Sequence, residues 1–226
     1  MVFFPVDLAI ALTGVVHFFN NLYKVSLVGR NADKKVLMWF GIPAIAFAFL
    51  GAWILIQIPP DMNPLFDYHL FGRIWTVSPI KLIISIILIV FASWDLIPQF
   101  QKLEFNQDKL PIGGALSGFF GGLSGNQGAL RSAFLIKAGL SKEVFIGTAV
   151  VVSTFVDFTR LGVYATRFSA VGFIDNIALV LSATVSAISG AYFGNKLLKK
   201  VTLRFLQITV AVMLILLSVA LGAGFI

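Results

Sequence analysis

Cysteine is absent from the 226 residues, histidine occurs twice, and Asp and Glu together number only 10. Without Cys there is no disulfide framework, thiol nucleophile or thiolate metal site, and two His supply zinc poorly. Charged residues of both signs make up 12% of the chain. An ordinary soluble domain carries about twice that, so this class is excluded. Also lacking are a nucleotide-binding loop, a Gly-x-Ser-x-Gly elbow, a His-Glu-x-x-His helix and any nucleophile placed beside a base. Neither an enzyme nor a cofactor or metal is expected. What is present is apolar: 58% of the residues, with a mean hydropathy of +0.95. The net charge of +7 sits in short loops between apolar runs, which is the pattern of a protein oriented in a bilayer rather than of a nucleic-acid binder.

Apolar segments run from Val6 to Tyr23, Val36 to Ile58, Ile80 to Pro98, Lys142 to Thr159, Val171 to Asn195 and Thr202 to Gly224. Each is long enough to cross about 30 Å of hydrocarbon as a helix. The predicted fold class is therefore all-α and polytopic, with about six spanning helices. Residues 111 to 140 differ, being dense in Gly, polar at Asn126 and Gln127, and charged at Arg131. They read as two short helices broken around Gly125 to Gly128, a re-entrant element. Counting loop cations favours this reading. Twelve fall on the cytoplasmic side and four outside if the element enters and leaves on one face, whereas a full crossing puts the last basic cluster outside. The segment from Pro59 to Pro79 becomes an external loop whose aromatic residues read as an interfacial belt.

A repeat is hidden in the chain. Residues 16 to 24, Val-His-Phe-Phe-Asn-Asn-Leu-Tyr-Lys, lie over residues 152 to 160, Val-Ser-Thr-Phe-Val-Asp-Phe-Thr-Arg, with Asn21 over Asp157 and Lys24 over Arg160. Ala48, Gly51 and Ala52 lie over Ala187, Gly190 and Ala191 in the same order. The loop counts insert the halves oppositely, giving an inverted-topology repeat: a first half at 1–98, a cytoplasmic linker at 99–110 and a second half at 111–226. Such repeats place substrate near mid-membrane where broken helices meet. The broken element at 111 to 140 has no visible partner in the first half. This leads to the expectation that about 30 residues carrying it precede Met1, or that it has been lost.

The candidate site follows from polar groups at membrane depth. Gly114, Gly118 and Gly122 are spaced for close helix packing, which accounts for the first turns of the Gly-rich run. It does not account for Gly125-Asn126-Gln127-Gly128, where a break would aim backbone N–H groups and the start of the next helix at one spot suited to an anion. Arg131 offers a planar donor fork for an oxyanion, or else pairs with a carboxylate such as Asp157 or Asp95. Asp157 and Arg160 stand three apart, the spacing of an intrahelical ion pair, yet their counterparts Asn21 and Lys24 cannot form one. His17, Asn20 and Asn21, at i, i+3 and i+4, share a helical face. His17 and Asp157 are the candidate proton carriers.

The run Leu116-Ser117-Gly118-Phe119-Phe120-Gly121-Gly122-Leu123-Ser124-Gly125-Asn126-Gln127-Gly128-Ala129-Leu130-Arg131-Ser132, followed by Gly139 to Glu143 and Asp157-Phe158-Thr159-Arg160, resembles the second-half signature of the sulfite exporter TauE/SafE family. His17 to Lys24 is similar to a first-half signature of the same family, whose members usually carry the Gly-rich element twice. The resemblance implies a multi-pass protein of the bacterial inner membrane that transports small anions such as sulfite, organosulfonates or related carboxylates. Alternating access around an anion held by residues 125 to 131, Asn20, Asn21 and Arg131 is the expected mechanism. A passive anion channel and a non-transporting scaffold subunit are the alternatives, and a homo-oligomer is an open expectation for the protein under each reading.

Overall fold

The computed structural model describes residues 6–58, 63–70, 72–97, 99, 105–125, 127–135, 138–167, 174–197 and 203–225. Eight helices follow in order among them: α1 (Val6–Val28), α2 (Lys34–Gln57), α3 (Pro79–Leu96), α4 (Leu110–Ser124), α5 (Gly128–Leu135), α6 (Lys142–Tyr164), α7 (Ile177–Leu197) and α8 (Leu203–Gly222). Starts are set by local chemistry. Asp33 accepts the Val36 N–H at 2.8 Å to begin α2, and Ser141 accepts that of Val144 to begin α6. Pro43 has no N–H to offer Trp39, and the preceding turn of α2, Leu37–Gly41, widens into a π-helical one. Helices α2 and α6 are long and apolar enough to cross a bilayer, and Pro79–Trp94, Ile177–Phe193 and Ile208–Gly222 are shorter apolar stretches. Only 39% of the apolar window of α2, and of α6, is buried within the protein. Their remaining apolar surface calls for lipid.

Glycine sets the tightest contact. Along α4, a Cβ on Gly114, Gly118 or Gly122 would run into the backbone carbonyl of Phe40, Ala44 or Ala48 respectively. The three pairs keep one separation in sequence, so α2 and α4 run parallel, and Ala44, Ala48 and Ala52 are fully enclosed. From the other side Gly51 meets the Phe119 carbonyl. Close backbone approach of this kind is how helices associate where lipid removes the hydrophobic incentive.

The Gly-rich element folds back on itself. The Phe105 ring stacks on Phe134 at 4.1 Å, the Phe105 N–H reaches the Ala133 carbonyl at 3.4 Å, and Gln107 Nε2 donates to the Ala138 carbonyl at 3.1 Å. Helix α5 thus returns toward the end where α4 starts. Helix α6 starts there too, because Gly147 abuts the Val28 carbonyl at the end of α1. Helices α1 and α6 then cross antiparallel, Gly14 facing Leu161, Asn21 facing Asp157 and Gly29 facing Val151. Helix α7 packs on α1 through Val180 against Leu8, Leu12 and Val15, but a Cβ on its Gly190 would meet no other described element within 4 Å. Helix α3 packs on α8, with Gly222 against Ser85.

One element departs from the all-α expectation. The expected aromatic loop contains an antiparallel hairpin, β1 (Phe66–Leu70) paired with β2 (Arg73–Val77). Alternation of Phe66, Tyr68 and Leu70 with Asp67 and His69 gives a strand one apolar face, and Gly72 at φ 70° suits the turn. That face lies over the end of α8: Tyr68 Oη donates to the Ala223 carbonyl at 2.6 Å and Trp75 meets Phe225 edge-on at 4.8 Å.

Candidate functional site

Helices α1 and α6 cross at a polar centre bounded by the break between α4 and α5. Asp157, 2% exposed, accepts from Arg160 Nε at 2.9 Å and lies 2.8 Å from a second guanidinium nitrogen. Its other oxygen accepts from Asn21 Nδ2 at 2.7 Å. Arg160 is 1% exposed and lies in a slot made by two glycines. A Cβ on Gly14 would stand 3.5 Å from its Cζ, and one on Gly125 would stand 2.7 Å from Nη1. Gly125 has φ 78°, a left-handed conformation that closes α4 and that other residues adopt at a cost. Tyr164, one turn beyond Arg160 along α6, donates its hydroxyl to the Gly122 carbonyl. The end of α4 is thereby tied to the helix that carries the buried ion pair.

Arg131 is held by a hydroxyl. It donates through Nη1 to Ser153 Oγ, whose hydroxyl in turn donates to the Ala149 carbonyl at 2.9 Å. Its Nε is buried without a partner. Asp157 is taken by Arg160 one turn along the same helix, and the Asp95 side chain lies outside the described residues. Lys24 is half-buried and within electrostatic reach of Arg131 and Asp157. Among the described residues neither Lys24 nor Arg131 has a carboxylate within 4.0 Å. Three cations around one acid leave a surplus of positive charge in a low-dielectric place, where charge left without a counter-ion is costly.

The remaining predicted residues divide. Gln127 is buried, and its carbonyl accepts from Ser117 Oγ at 3.3 Å and from the Arg131 N–H at 3.0 Å, while Oε1 has no partner. Asn20 Oδ1 is likewise buried and unpartnered. Gly128 opens α5 with nothing within 4 Å of a notional Cβ. Asn126 lies outside the described residues. His17 lines a cavity of about 360 Å³ with Thr13, Ser124, Gly125 and Arg160 as its other polar walls. Sequence reasoning missed Ser153, Tyr164 and Thr13. Ser153 alone carried a signal, since it is the residue laid over His17 by the repeat.

Neither a curated protein nor a solved structure matches the chain. A family model described as Sulfite exporter TauE/SafE matches residues 1–221. With nearly its whole length matched, the chain belongs to the sulfite exporter TauE/SafE family of membrane transport permeases.

Proposed function

We propose that the chain carries small sulfur oxyanions or related carboxylates across the inner membrane of a bacterium by alternating access of two inverted halves, 1–98 and 111–226. The observation that carries the reading is the cluster of Lys24, Arg131 and Arg160 around Asp157, beside a cavity that Arg160 lines. An anion entering that cavity would meet the Arg160 guanidinium, already held in place by Asp157. The halves are supported by symmetry. Helices α1 and α6 have 23 residues each, and Asn21 touches Asp157, the residue 136 positions later that the sequence repeat lays over it. Residues related by a two-fold axis touch their own counterparts only where they lie on the axis, so this contact supports an axis through the crossing.

Rocking about such an axis would carry the site from one face to the other. Asp157 and His17 are the groups available to couple a proton to this motion. Sulfite flux into proteoliposomes tests the proposal. Arg131→Gln and Lys24→Gln should each lower initial flux at least tenfold while the purified protein keeps its elution profile. Unchanged flux in Arg131→Gln overturns the site. Saturable counterflow is expected of the carrier, and a linear voltage-driven current would establish a pore instead.

A further inference from the structure

A second cavity, about 300 Å³, opens where α2 begins and the chain leads into α4, lined by Lys35, Trp39, Gln107, Asp108, Leu110 and Pro111. We propose that it seats the phosphate headgroup of an anionic membrane phospholipid. Lys35 and Trp39 stand one helical turn apart and so share a face. Among the described residues no carboxylate lies within 4.0 Å of Lys35, and Asp108, the acid in the wall, is offset by Lys109 at 3.6 Å. Arg30 and Lys34 add positive charge nearby, and both are exposed. Gln107 is fixed in place by its bond to the Ala138 carbonyl.

What distinguishes a lipid from free phosphate is the surface below the cavity. Trp39 is 58% exposed, and on the same helical stripe follow Ile42, Ala46, Phe49 and Trp53, all exposed. Their spacing alternates three and four residues, so they form one apolar track leading away from the cation, as an acyl chain requires. A tryptophan at each end of that track is the placement favoured at membrane interfaces. Basic pockets among helix ends are where anionic headgroups bind.

The test is native mass spectrometry of the purified full chain titrated with phosphatidylglycerol. Wild type should retain a one-lipid adduct. Lys35→Gln should cut retention at least fivefold, Lys35→Arg should preserve it, and Lys81→Gln, at the start of α3 and outside the cavity, should stay within twofold of wild type. Inorganic phosphate at millimolar concentration should not displace the lipid. Equal retention by Lys35→Gln overturns the proposal, as does displacement by phosphate alone, which would make this a site for the free ion.

Discussion

Replacing Asp157 by Asn strips the charge from one member of a buried pair and leaves Arg160, 1% exposed, without its counter-ion. Breaking such a pair on one side costs about 3–5 kcal/mol, because the orphaned charge keeps its desolvation penalty and loses its attraction. That is roughly two to four powers of ten in a folding equilibrium, and for a chain of this size a fall in melting temperature of about 6–20 °C. Asn21 and Tyr164 cannot offset the loss, since each supplies a neutral dipole. The double variant Asp157→Asn with Arg160→Met removes both charges and should recover at least half of the deficit. Thermal unfolding of the purified protein in one detergent reads all three forms. Sulfite should raise the melting temperature of the Asp157→Asn form by more than that of wild type, because a bound anion supplies the missing charge. The reasoning fails if the single variant melts within about 2 °C of wild type, a shift worth less than about 1 kcal/mol, or if the double variant melts no higher than the single one.

Gly118→Val drives a side chain into the Ala44 carbonyl and should cost about 1–3 kcal/mol or more, whereas Gly190→Ala, in open space within a helix, should stabilise by about 0.5–1 kcal/mol; melting of both variants reads the contrast. Tyr164→Phe leaves the Gly122 carbonyl short of a donor and should lower stability by about 1–3 kcal/mol, checked in the same assay. The chain has no Cys, so single thiols can be placed freely. Asn106→Cys and Lys142→Cys should react with an impermeant maleimide from one side of the membrane and Asp67→Cys from the other, and opposite accessibility of the first two would exclude a re-entrant hairpin.

Much of the centre was legible because paired function leaves paired letters. Asn21 and Asp157 were matched from sequence alone, and they are in contact. The Gly114, Gly118 and Gly122 spacing announced a close helix contact, although its partner, α2, could not be named from the Gly-rich run alone. Asp157 with Arg160 was read both as an ion pair and as part of a wider polar patch, and both descriptions hold, because the carboxylate has two oxygens and serves Arg160 and Asn21 together. Ser153 was passed over, although the repeat lays it over His17, because a serine in an apolar run usually bonds its own helix, as this one also does with Ala149. The β-hairpin was missed for a different reason: five residues of alternation are outweighed by the aromatic composition expected of a membrane interface. Local pattern gives way wherever a partner far along the chain decides the outcome.

The glycine ridge of α4 also has a schedule. Its partners on α2 leave the ribosome 74 residues earlier, from Phe40 to Gly114, an interval of roughly 4–15 s at ordinary synthesis rates. Until then the groove at Ala44, Ala48 and Gly51 must be filled by lipid or by the insertion machinery. Asn21 waits longer, since Asp157 follows 136 residues later. Helix α1 is thus inserted with Asn21 unanswered, so nascent chains stalled before α6 should be the form that quality control removes fastest.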